Sequence, residues 1–214
     1  MVGILVRMRP RTASVAVLVA VLALLAGVAS VPCPAAPAPR SDVTFVGDSI
    51  SASLDYVPSA RRVLTGAFDT RFDLAVCRRL VTEGCSFQGK APTTALDAVR
   101  AHGRSLGDVL VVDVGYNEGS TGYRAGMRRI IRAARAQGAS GVVWVTLREA
   151  SPVYRPTNAA IRREAGRWRA VAVADWEAAS RGKPWFREDG LHLNAAGANA
   201  LARLVREHVA RVAR

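Results

Sequence analysis

The chain has 214 residues, half of them apolar and about a fifth charged. That is enough for one domain with a full hydrophobic core and too short for two comfortable ones. The net charge is +13, and apart from Lys90 and Lys183 its basic residues are arginines. These lie scattered along helical stretches with no interleaved aromatics, which argues against a nucleic-acid partner and reads as a basic solvated face, favourable to an anionic envelope surface.

The N-terminus begins with Arg7, Arg9 and Arg11, followed by an apolar run through Ala29 and small residues to Ser30. A positive region, an apolar region and a small-residue region in that order predict a signal peptide over 1–30. The run is also close to the lower length limit of a spanning helix, so an uncleaved membrane anchor is the alternative. Residues 31–40 are rich in Pro and Ala and predict an extended linker. Pro32 directly before Cys33 fits poorly with a lipoprotein signal. The folded domain is expected over 41–214, outside the cytoplasm.

From there, short β-branched runs alternate with longer Ala/Arg/Leu stretches of helical period. Strands are predicted at Val43–Val46, Phe72–Val76, Val109–Val114, Val142–Leu147 and Ala170–Ala174. Helices are predicted at Ser51–Leu64, Thr93–His102, Tyr123–Gln137, Asn158–Trp168 and Ala195–Val212. Gly103 and Gly138 stand where helices close, and Asn194 where the last one opens. Nearly continuous apolar strands separated by helices imply an α/β fold, a three-layer α/β/α sandwich on a five-stranded parallel sheet. In such sheets, sites form beyond the carboxyl ends of the strands.

The residues at those ends carry chemistry. Gly47-Asp48-Ser49 follows the first strand and exposes Ser49 at a sharp turn. Asn117 follows the third strand and is placed to donate an amide hydrogen to a tetrahedral oxyanion. Asp189 lies three residues before His192 in DGLHLN, a spacing that lets a carboxylate grip the ring's Nδ1–H and leave Nε2 as a base. Each element alone also reads as ordinary turn and capping chemistry. Cys77 and Cys85, the pair beyond the leader, predict a disulfide in an exported domain. Neither has a ligand partner at metal spacing, and no phosphate loop, dinucleotide fingerprint or metal-binding His pair is present. His102 and His208 read as helix-end and packing residues, and Trp144 as core. Arg148, after the fourth strand, is a possible contact for an anionic substrate.

From about Val43 to Ala210 the chain resembles the SGNH/GDSL hydrolase family, through VTFVGDSIS, VVDVGYNEG and DGLHLNAAG. The resemblance implies the flavodoxin-like fold of that family, Ser49 as nucleophile, His192 as general base and acid, and Asp189 as its orienting carboxylate. It further implies an oxyanion hole from the Ser49 and Cys77 backbone N–H groups and the Asn117 amide, with no metal or organic cofactor. Two departures stand out: Cys77 occupies a position where the family usually has glycine, and Glu118 one where aspartate is usual. The expected function is an exported esterase cleaving small-molecule or glycan-linked acyl esters, and a monomer is the default. The alternatives are an O-acyltransferase or deacetylase acting on an envelope glycan, or a non-catalytic envelope-binding domain.

Overall fold

A computed structural model describes residues 40–213 together with the isolated Gly3; the expected signal peptide and nearly all of the linker lie outside the described residues. Five strands, β1 (Asp42–Gly47), β2 (Asp69–Leu74), β3 (Val109–Asp113), β4 (Gly141–Val145) and β5 (Val171–Ala174), form one sheet in the order β2-β1-β3-β4-β5. Every pairing is parallel. This is the flavodoxin-like strand order, in which the chain reverses direction across the sheet between β1 and β3.

The helices are α1 (Ser53–Tyr56), α2 (Pro58–Thr65), α3 (Ala95–His102), α4 (Tyr123–Ala136), α5 (Arg155–Ala165), α6 (Trp176–Ser180) and α7 (Ala195–Val212). Side chains alternate across a strand, so β3, apolar up to its last residue Asp113, feeds two cores. Val109 and Val111 pack with Leu64 of α2 and Leu201 and Val205 of α7, whereas Leu110 and Val112 pack with Val99 of α3, Ile130 of α4 and Ile161 of α5. The result is the expected three-layer sandwich. Among the described residues no helix is long and apolar enough to cross a membrane.

Boundaries differ from the expected ones for local reasons. The first predicted helix is two pieces, because Pro58 has no N–H to donate and forces Val57 out of helical geometry (φ −125°, ψ 84°). β2 begins earlier than Phe72 because it is an edge strand. Its DTRFDL sequence alternates instead of running apolar, and Phe72 stacks on Phe45 while Arg71 is exposed and the half-buried Asp73 pairs with Arg78. α5 also starts earlier than expected, at Arg155. The expected caps are present: Asn194 accepts from the Gly197 N–H at 3.0 Å, and Gly103 closes α3 at φ +55°. Trp144 is fully buried, as its strand position implied.

Candidate active site

Gly47 leads out of β1 into a tight helical turn, in which the Ala52 N–H donates to the Asp48 carbonyl at 3.1 Å. A glycine is required here by close packing. A Cβ on Gly47 would lie 2.6 Å from the Ser51 side chain and 2.8 Å from that of Leu74. Ser49, at the start of this turn, faces a cleft of ≈ 330 Å³ lined by Ala52, Tyr56, Val76, Phe87, Arg187 and the Asp189–His192 pair.

The turn before α7 supplies that pair. Asp189 Oδ1 accepts the backbone N–H groups of Leu191 and His192, both at 2.9 Å, while Gly190 takes the left-handed conformation (φ +65°) that closes the turn. Asp189 Oδ2 is then 2.7 Å from His192 Nδ1, and His192 Nε2 is 3.1 Å from Ser49 Oγ. The Leu191 N–H first, then the imidazole and the His192 N–H, pull the Asp189 carboxyl down to about 2. It therefore stays ionised at neutral pH, and an ionised carboxylate accepts the Nδ1 proton and leaves Nε2 directed at the serine.

The loop after β2 adds Val76 and Phe87 to the cleft wall, and the loop after β3 is bonded to it from behind the lining. Cys77 sits at φ +66°, a left-handed conformation that explains why a glycine is the common occupant of such a position. It is joined to Cys85 by a disulfide, with a Cα–Cα distance of 5.2 Å. Between them Gly84 passes so close that a Cβ there would lie 1.8 Å from the Cys77 carbonyl oxygen. Asn117 Nδ2 donates to the Arg78 carbonyl at 3.2 Å. The Glu118 carboxylate accepts the Leu80 N–H and pairs with Arg79 at 3.7 Å. The longer acid at this position thus ties the two loops together. The backbone N–H groups of Ser49 and Cys77 donate to no other described residue.

The sequence reading missed a buried carboxylate pair. Asp48 accepts from Ile50 N–H at 3.0 Å, Gly115 N–H at 3.1 Å and Tyr116 N–H at 3.3 Å, pinning the Ser49 turn to the loop after β3. Asp113, at the end of β3, accepts the Ser51 hydroxyl at 2.5 Å. Burial pushes both carboxyls up. Backbone donors partly offset this at Asp48, whereas the charge of Asp48 pushes Asp113 further. In the sequence Asp48 reads as a turn residue and Asp113 falls inside the predicted strand Val109–Val114, so neither announces itself.

Other expected residues lie elsewhere. His102 pairs with Asp73 at 3.1 Å, and His208 Nδ1 bonds the Leu204 carbonyl at 2.9 Å. Asp175 caps α6 and binds Arg162 at 2.7 Å. The Arg148 guanidinium lies over the Phe186 ring, 3.5 Å from its centre, and lines a different depression from that of Ser49. The arginine in the Ser49 cleft is Arg187.

The sequence model of the GDSL-like lipase/acylhydrolase family matches residues 45–200. No curated protein matches the chain. Among solved structures, a protein from Agrobacterium tumefaciens assigned as an arylesterase is 13% identical, with a TM-score of 0.60 over 80% of this chain and 99% of its own. The family 3 carbohydrate esterase of Clostridium thermocellum is 15% identical, with a TM-score of 0.56 over 81% of this chain and 97% of its own. A protein from Bacteroides ovatus assigned as a GDSL-like lipase is 11% identical, with a TM-score of 0.61 over 81% of this chain and 54% of its own. At these identities the likeness is one of fold.

Proposed function

This chain belongs to the GDSL-like lipase/acylhydrolase family and is a hydrolase, and from that premise we propose that it is an exported serine esterase with Ser49 as nucleophile. His192 Nε2 takes the hydroxyl proton as Ser49 Oγ attacks the ester carbonyl carbon. The resulting oxyanion is held by the N–H groups of Ser49 and Cys77 and by the Asn117 amide. The intermediate collapses, and the departing alkoxide takes the proton from His192. Water then attacks the acyl-serine, with His192 again as base, releasing the carboxylic acid and restoring the enzyme. Asp189 holds the ring in the tautomer both steps need.

The observation that carries this reading is the continuous contact from Asp189 Oδ2 through the imidazole to Ser49 Oγ, at 2.7 and 3.1 Å. A short p-nitrophenyl ester tests it. The wild-type domain turns it over, and Ser49→Ala and His192→Ala do not. Full activity in Ser49→Ala contradicts the assignment.

Export rests on the leader pattern over 1–30 and on the Cys77–Cys85 disulfide, which persists in oxidising compartments. N-terminal sequencing of the mature protein tests it, with a start near Ser30 or within the linker expected and a start at Met1 contradicting cleavage. A glycan-linked acetyl ester is the second reading of the substrate. It is favoured by a groove of ≈ 540 Å³ that shares Val76 and Phe87 with the Ser49 cleft and so offers room for a chain beyond the scissile bond. Acetate release from, or transfer to, an acetylated polysaccharide distinguishes it from a preference for small esters.

A further inference from the structure

The Ser49 cleft holds two polar groups that the esterase mechanism leaves unused. Arg187 Nε donates to the Leu193 carbonyl at 3.2 Å, and among the described residues its two terminal nitrogens have neither a hydrogen-bond nor a carboxylate partner. Of the two acids that follow it in the chain, Glu188 forms no ion pair with it among the described residues and Asp189 is engaged elsewhere. Oδ1 already accepts two backbone N–H groups and Oδ2 the imidazole. The second group is Ser53, a residue of the cleft wall that is 5% exposed and whose buried hydroxyl has no hydrogen-bond partner among the described residues. A buried hydroxyl without a bond is costly unless a ligand supplies one. Around these groups the walls are apolar and aromatic: Ala52, Val76, Leu193, and the exposed rings of Tyr56 (73%) and Phe87 (49%). Phe87 is held outward by a two-residue turn, in which Phe87 and Lys90 exchange backbone bonds at 3.0 and 3.1 Å around Gln88 and Gly89 at positive φ. Lys90, in the adjoining groove, adds charge of the same sign.

We propose that Arg187 is a specificity-determining residue and that the preferred ester carries a carboxylate near its scissile carbonyl. The inference rests on the esterase reading above. A guanidinium with a free outer edge suits a carboxylate, because two parallel N–H groups match two oxygens. Nε is held by the Leu193 carbonyl, which fixes the guanidinium plane before substrate arrives. The apolar walls take the rest of the molecule.

Two matched ester pairs test this: 4-acetoxybenzoate against its methyl ester, with the charge on the alcohol side, and phenyl hydrogen adipate against phenyl methyl adipate, with the charge on the acyl side. The readout is the ratio of kcat/KM, charged over neutral, which cancels general damage to the enzyme. Arg187→Gln is expected to lower that ratio about tenfold in at least one pair, as loss of a charge-assisted contact does. Arg187→Lys restores part of it, and the pair affected says which side of the ester bears the charge. Arg203→Gln on α7, which removes the same charge from a remote exposed site, leaves both ratios unchanged because distant charges are screened in physiological salt. Ratios within twofold of wild type in Arg187→Gln, or an equal fall in Arg203→Gln, overturn the proposal. No turnover of any of the four esters by the wild type overturns the esterase reading itself.

Discussion

Asn117 donates its side-chain amide to the carbonyl oxygen of Arg78, 3.2 Å away, and so fastens the loop after β3 to the peptide that follows Cys77. The contact steadies the backbone around the Cys77 N–H, and in the proposed mechanism the second amide hydrogen serves the substrate oxyanion. Asn117→Ala is expected to lower kcat by about a hundredfold or more, the usual cost of one oxyanion donor, with a much smaller change in KM. Steady-state kinetics on a p-nitrophenyl ester measure both. A rise in KM with kcat preserved contradicts the oxyanion role.

The disulfide holds the same loop. A bridge between residues eight apart constrains the unfolded chain by about 2.5 kcal/mol in the loop-entropy account. Reduction is therefore expected to lower thermal stability by several degrees and to slow turnover, since the left-handed Cys77 loses its tether. Denaturation with and without reductant measures the first effect and ester turnover the second. Unchanged stability and rate on reduction contradict a structural role for the bridge.

Gly84 is expected to tolerate no side chain, because a Cβ there meets the Cys77 carbonyl at 1.8 Å. Gly84→Ala must displace that carbonyl and, with it, the Cys77–Arg78 backbone. The expected result is a loss of kcat at least as large as that of reduction, while thermal unfolding remains cooperative. Wild-type kcat in this variant contradicts the proposed dependence of turnover on the loop.

Stability should vary with pH through the buried carboxylates. Asp113 holds its proton more tightly in the folded protein than in the unfolded chain, because burial and the charge of Asp48 both raise its folded value. A raised folded value gives stability that is complete below the unfolded value of about 4 and is lost as pH rises through the folded one. Asp113→Asn keeps an acceptor for Ser51 and removes the titration. It is expected to flatten the decline in Tm between about pH 4 and 8, and parallel wild-type and variant curves contradict this assignment. Asp189 acts in the opposite sense. Its folded value is depressed to about 2, so its contribution is present above about pH 4 and is lost as pH falls through about 2.

Much of this was readable before the structure because buried parallel strands leave a strong imprint: LVV in β3 and VVWV in β4 tolerate no polar interruption. The turn chemistry at Asp189-Gly190 and the cap at Asn194 were equally plain, since each depends on neighbours in sequence. What depends on distant partners was not. β2 shifted because an edge strand need not be apolar on both faces. Pro58 divided a helix whose apolar period runs through it. Asp48 and Asp113 meet only when β1 and β3 pair, and Tyr56, Phe87 and Arg187 reach the cleft from three separate segments of the chain. Arg148, the arginine the strand order nominated, is occupied by Phe186.

The most direct test of the central claim is covalent capture. A fluorophosphonate that phosphonylates activated serines, followed by peptide mapping, is expected to modify Ser49 stoichiometrically in the folded wild-type domain. Labelling should fall by orders of magnitude in His192→Ala, where no base draws off the proton. Modification of another serine, or equal labelling of Ser49 with and without the imidazole, would contradict the account.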